Sequence, residues 1–145
     1  MLACGANDTG ACAVPPYRAP VMLAPRRVQG LPDSVVGVGA GGGHSLAWTA
    51  DGQCFTWGLN TSWQCGLGHA REVCVPTRVP LDGHVTAAAG GRAHSLISLQ
   101  VSHKERVWGG GGGGAKGKKK KKNTRKKEKK APTATKTLVC GEKLP

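Results

Sequence analysis

The stretch GGGHSLAWTADGQCFTWG, Gly41 to Gly58, is the densest pattern in the chain. Glycines cluster ahead of a histidine, two tryptophans follow, and an Asp-Gly pair stands between them. Three readings compete for it: a nucleotide-binding loop, a metal or catalytic histidine, or one unit of a repeated structure. Comparing the chain with itself favours the third. Laying His94 on His44, a shift of 50, aligns VTAAAGGRAHSL (85–96) with VVGVGAGGGHSL (35–46). Gly91, His94, Ser95 and Leu96 then answer Gly41, His44, Ser45 and Leu46. Trp108-Gly109 follows His94 much as Trp57-Gly58 follows His44, and PRRV (25–28) answers PTRV (76–79) at a shift of 51. The opening CGANDTGAC (4–12) answers WGLNTSWQC (57–65) at a shift of 53, matching Asn7 and Cys12 to Asn60 and Cys65. Four anchors thus share one period.

Each unit reads as short strands. Asp51-Gly52 is a hairpin signal, because a tight primed turn needs residues that tolerate positive φ. With these two as the turn, Thr49 faces Cys54, Trp48 faces Phe55 and Leu46 faces Trp57. Side chains alternate along a strand, so Leu46, Trp48, Phe55 and Trp57 are expected on one face of the ribbon. VVGVGA and PTRVPL add two further extended segments. Up to four short strands in about fifty residues is the layout of a propeller blade. The glycines before His44 then serve close backbone approach at the inner edge of a blade.

On these residues the segment resembles a repeat of the regulator of chromosome condensation family, whose pattern runs G-x-x-H-S-x-x-L-T-x-x-G-x-x-Y-x-W-G-x-N-x-x-G-Q-L-G. Gly41, His44, Ser45, Thr49, Gly52, Trp57, Gly58, Asn60, Gln64 and Gly66 sit on that pattern. The resemblance covers 1–109, one nearly whole unit flanked by two partial ones. It departs from the pattern at Trp63, where glycine is usual, at Cys65, where leucine is usual, and at Cys4, which replaces the first tryptophan. The resemblance implies an all-β fold of about two blades of an incomplete propeller ring. Such an open piece leaves strand edges exposed and reads as a fragment of a larger propeller.

The net charge of +13 belongs to one place. Residues 115–130 carry ten lysines, Arg125 and a single acid, Glu128, so they hold most of the excess. Glycine and lysine with almost nothing apolar cannot offset the entropy of ordering. Residues 110–145 are therefore expected to form a low-complexity basic tail, mostly disordered, beside a repeat region at 1–109. Lys118, Lys119, Lys120, Lys121, Lys122, Arg125, Lys126 and Lys127 are its candidate polyanion contacts. Without aromatic residues the tail offers salt-dependent phosphate attachment or a nuclear address, not base readout. The six cysteines include no CxxC pair and no zinc-finger spacing, so free thiols are expected. No leader pattern opens the chain and no apolar run is long enough to span a bilayer. A nuclear or cytoplasmic, non-secreted location without membrane contact is the expectation.

Enzymatic readings are weak. Gly37-x-Gly39-x-x-Gly42 fits a dinucleotide motif only formally, since a hairpin and not a helix follows it. GGGGAKGKK (111–119) lacks the hydroxyl residue and the flanking strand of a phosphate loop. His44 and His94 recur at one repeat phase, each followed by serine, and neighbouring strand residues point to opposite faces, so a Ser-His dyad within one unit is excluded. Gly41, His44, Ser45, Gly52, Trp57, Gly58, Asn60, His94, Ser95 and Trp108 are accordingly expected to be structural repeat positions. No catalytic residue, cofactor or metal is assigned. The resemblance implies a protein partner, with a small GTPase or chromatin as the classes it suggests. The alternative is a nucleic-acid or chromatin binder acting through the lysines.

Overall fold

The computed structural model describes residues 1–102 and 133–141. Among them are nine strands and no helix: β1 (Leu2–Ala6), β2 (Val21–Arg27), β3 (Val35–Ala40), β4 (His44–Thr49), β5 (Cys54–Gly58), β6 (Val73–Arg78), β7 (His84–Gly90), β8 (His94–Ser102) and β9 (Thr133–Gly141). They form three antiparallel sheets, β1-β2, β3-β4-β5-β6 and β7-β8-β9. The expected whole unit is thus the central four-stranded blade, flanked by a two-stranded and a three-stranded sheet.

The β4–β5 hairpin forms where expected, but its register is one residue away from the expected one. Trp48 pairs with Cys54, Ala47 with Phe55, Leu46 with Thr56 and Ser45 with Trp57. The turn is the reason. Gly52 adopts φ +82°, while Asp51 stays out of the positive-φ region that a two-residue primed turn demands. The loop therefore takes three residues, Ala50 to Gly52, closed by Thr49 and Gln53. The Thr49 N–H donates to the Gln53 carbonyl at 3.0 Å, and the Gln53 N–H donates to Thr49 Oγ1 at 3.0 Å.

That single step places the two tryptophans on opposite faces. Trp48 and Cys54 turn to one side, where Val79, Val85, Ile97 and Leu99 form a core with the third sheet. Ala47, Phe55 and Trp57 turn to the other, where they meet Val28, Ala3 and Leu31 beneath the first sheet. The expected one-sided ribbon is instead buried on both faces. Alternation of apolar and polar residues marks a sheet with one wet face, and a sheet stacked between two others has none.

Glycines permit close packing within and between these sheets. A Cβ on Gly37 would fall inside the Trp48 ring, at 2.1 Å from Cζ2. One on Gly42 would lie 2.7 Å from the Arg92 carbonyl oxygen, and one on Gly90 would lie 2.6 Å from the Gly41 nitrogen, so the central and third sheets touch backbone to backbone. There the Gly42 N–H donates to the Gly91 carbonyl at 3.0 Å.

The boundary expected at 109/110 lies outside the described residues. Residues 133–141, assigned to the tail, form a nine-residue strand on β8, with Ser95 opposite Cys140 and His94 opposite Gly141. In the central blade Ser45 lies opposite Trp57 and His44 opposite Gly58. Cys140-Gly141 thus occupies the place expected for Trp108-Gly109. Trp108 itself lies outside the described residues, as do Lys118, Lys119, Lys120, Lys121, Lys122, Arg125, Lys126 and Lys127.

Candidate functional site

The chemistry-bearing residues of the repeat converge on the seams between sheets. At the seam between the central and third sheets, His44 Nε2 lies 2.8 Å from Ser95 Oγ. Ser95 donates its own proton to the Gln64 carbonyl at 2.7 Å, so it accepts from a His44 protonated at Nε2. His44 is 1% exposed and Ser95 is fully buried. His44 Nδ1 is buried without a hydrogen-bond partner, against Gly41. Burial holds the His44 pKa below its ordinary value, with a smaller contribution from nearby His94. Among the described residues no acid is placed in that seam to neutralise a charged imidazole.

A His–Ser pair within hydrogen-bond reach has the outline of a nucleophile and its base. The seam lacks the rest. Among the described residues no acid orients Nδ1, the serine proton is already committed to a carbonyl, and both groups are buried. What the pair forms is a hydrogen-bonded contact between two sheets. His44 faces the third sheet, while Ser45 faces the first and donates to the Ala11 carbonyl at 2.8 Å. Trp57 Nε1 donates to the same carbonyl at 2.7 Å.

Asn7 and Asn60 do more than sit in turns. Each is wholly buried and holds its loop from inside. Asn60 Nδ2 donates to the carbonyls of His69 and Arg71 at 2.6 and 3.0 Å, and its Oδ1 accepts from the Cys65 N–H at 3.0 Å. Asn7 repeats the set, with the Val14 and Ala19 carbonyls at 2.9 and 2.7 Å and the Cys12 N–H at 2.9 Å. The buried Cys12 and Cys65 thiols each donate to a carbonyl at 3.6 Å, of Ala6 and Leu59 respectively. Burial pushes the Cys65 thiol up to about 11 and that of Cys54 to about 12, which leaves almost no thiolate at neutral pH.

The sequence places Gln64 on the repeat pattern but does not single out Ala11, nor does it mark the carbonyls of these two residues as the acceptors of the serines. A side chain carries no mark of what its backbone oxygen accepts. The signal available was positional, since Ala11 and Gln64 are also related by the shift of 53. His94 is placed like His44 but is exposed. Among the described residues no group of three His, Cys, Asp or Glu side chains is arranged to hold a metal ion. An open groove of about 450 Å³ runs between the first and central sheets, lined by Leu2, Arg27, Leu31, Asp33 and Val35. The Arg27–Asp33 ion pair there, at 3.1 Å, is exposed. No helix among the described residues is long and apolar enough to cross a membrane.

Residues 51–98 match the model of the regulator of chromosome condensation (RCC1) repeat. The chain is 33% identical over 100 residues to protein pim1 of Schizosaccharomyces pombe, a match covering 61% of this chain and 19% of pim1. Its structure is similar to yeast RCC1 (Prp20) crystallised with Kap60, with a TM-score of 0.59 and 27% identity over 66% of this chain and 25% of that one. It is also similar to Prp20p of Saccharomyces cerevisiae, described with its binding properties to Gsp1p and histones. There the TM-score is 0.58 and the identity 27%, over 66% of this chain and 26% of that one. The chain spans about a fifth or less of the curated relatives it matches.

Proposed function

We propose, for a chain that belongs to the regulator of chromosome condensation repeat family, that it is a non-enzymatic protein-interaction module, a sector of a larger regulatory propeller. One observation carries this reading. The histidine, serine, tryptophan and asparagine of the central repeat are all consumed in bonds between or within sheets, which leaves the loops and sheet edges as the surfaces that meet other molecules. Loops on a rigid sheet scaffold are where binding residues concentrate.

The partners implied by resemblance are a small GTPase and chromatin, and Gsp1p and histones, described with Prp20p, belong to those classes. Nucleotide exchange needs a face assembled from several blades, of which the described residues supply one four-stranded sheet and two smaller ones. The chain is therefore expected to bind such a partner without accelerating nucleotide release. The test is a GTPase loaded with fluorescent nucleotide, with release timed in the presence and absence of the chain, alongside pull-down on the GTPase and on histones. Retention without faster release supports the reading. Accelerated release makes the chain an exchange factor in its own right, and failure to retain either protein removes these two partner classes.

A further inference from the structure

We propose that the free edge of β9 is a docking site for an extended polypeptide segment of the class hydrophobic–x–x–Pro–x–Arg–Val, which completes the third sheet as its fourth strand. The inference rests on the reading of the chain as a binding module and names a class of partner for it.

The other sheets supply the template. β5, the third strand of the central blade, carries β6 on its outer edge, and its counterpart β1 carries β2. β9 fills the same place on β8 that β5 fills on β4. The sequences agree, since Leu2-Ala3-Cys4-Gly5 on β1 is matched by Leu138-Val139-Cys140-Gly141 on β9. Among the described residues β9 pairs with β8 alone.

β2 and β6 share a pattern with a physical reason at each position. Met22 lies opposite Gly5, and Val73 opposite Gly58. Arg27 lies opposite Leu2, and Arg78 opposite Phe55. Pro25 and Pro76 fall between, where both ladders shift register. A proline has no N–H for a ladder and is accommodated at such an irregularity. The valine after the arginine closes each pairing. The Val28 N–H donates to the Met1 carbonyl at 3.2 Å, and the Val79 N–H to the Cys54 carbonyl at 2.8 Å. Both valines are buried, and each packs on core residues of the following sheet.

On β9 the counterpart of Cys54 is Thr137, opposite Ser98 as Cys54 is opposite Trp48. The Thr137 carbonyl is thus the acceptor awaiting an incoming valine N–H. Alternation along the strand turns the Val139 backbone to the same edge. Val139 is 69% exposed, and Leu96, opposite it on β8, is 41% exposed, which leaves an uncovered apolar strip beside that edge. The strand has nine residues, no proline and one charged side chain, Lys136, so it lacks the usual devices that blunt an edge against strand addition. Main-chain pairing would supply the affinity, and the Pro-x-Arg-Val spacing would set the register.

The test titrates the full chain against a fluorescein-labelled peptide of residues 71–79 carrying Cys74→Ser. A saturable rise in anisotropy is expected, absent for a scrambled peptide and weakened about tenfold by Val79→Asp in the peptide. On the protein, Val139→Pro removes an edge-facing N–H while leaving the β8 pairing its own, and a similar weakening of about tenfold is expected. Amide exchange on the unmodified chain gives a second readout, with Val139 slowed by the peptide and the β8 amides unchanged. This readout decides alone if Val139→Pro disturbs folding. No saturable binding, or binding that leaves Val139 exchange unaltered, overturns the proposal. Either result leaves the GTPase and histone measurements standing, because those contain no peptide.

Discussion

The central blade and the third sheet are built from the same repeat, yet they use it differently. His44 is buried and bonded to Ser95 of the next sheet, while His94, at the same phase, is exposed. Trp57 fills the first seam and bonds across it, while Cys140 stands in that place on β9. Ser45 has no histidine reaching it among the described residues, whereas Ser95 has one. The repeat is a set of half-interfaces, and a residue becomes structural only when a neighbour brings the other half. Sequence position alone therefore does not say how much a repeat residue contributes.

The strongest way to break this comparison is at the tryptophan. Trp57→Ala empties a fully buried site and removes the bond to the Ala11 carbonyl. It is expected to cost about 3–5 kcal/mol in urea unfolding of the whole chain. Cys140→Ala removes a small, partly exposed side chain and should cost no more than about 1 kcal/mol. Equal losses would mean that the third sheet is as tightly built as the central one.

The buried asparagines come next, and here the units are expected to agree. Asn60→Ala strands two carbonyls and the Cys65 N–H, and Asn7→Ala strands the matching groups of the first unit. Each should lower stability by about 1–3 kcal/mol. An Asn7 variant with no effect would show that the first loop is held by something other than its asparagine.

The serines sharpen the difference again. Ser95→Ala leaves the Gln64 carbonyl without this donor and the His44 N–H without its acceptor. Ser45→Ala leaves the Ala11 carbonyl still bonded to Trp57. Ser95→Ala should thus be the costlier by about 1 kcal/mol. The same seam predicts a pH dependence. Burial lowers the His44 pKa, so the unfolded chain takes up the proton more readily. Stability is full above the ordinary histidine value near 6.5 and falls as the pH drops below it. His44→Gln should flatten that part of the pH–stability curve, and a curve unchanged by the substitution would assign the titration elsewhere.

Much of this was legible in the sequence. The matched Gly-x-x-His-Ser-Leu stretches give the repeat, and the glycines before His44 and His94 do lie where backbones meet. The register was not legible, because Asp51-Gly52 fits a two-residue turn as well as the end of a three-residue one. Only the φ of Asp51 separates them. The double-sided burial followed from neighbours that no local pattern encodes. The ninth strand had left a signal in the match of Leu138-Val139-Cys140-Gly141 to Leu2-Ala3-Cys4-Gly5, but the glycine–lysine stretch stands between it and the rest of its unit. Composition weighed over a window outvoted four residues. The His44–Ser95 pair escaped for a related reason, since the two residues come from successive repeats and meet only through stacking.

The smallest expected effect concerns backbone strain, and it compares the loops of the first and central units. Two positions that correspond at the shift of 53 take positive φ in both loops. In the first they are Gly10 at +75° and Ala13 at +62°, and in the central one Trp63 at +62° and Gly66 at +66°. Each loop therefore has glycine at one of the two places and a strained side chain at the other, in opposite order. A non-glycine residue in that conformation costs about 1 kcal/mol or more, and glycine does not carry this cost. Trp63 is 37% exposed, so removing its ring sacrifices only part of its burial. Trp63→Gly is expected to leave stability unchanged or raise it by up to about 1 kcal/mol, despite the loss of a large aromatic side chain. Ala13→Gly should behave alike, with less packing to lose. A loss of about 2 kcal/mol or more in Trp63→Gly would instead mean that the indole packs hard enough to hold the strained backbone in place.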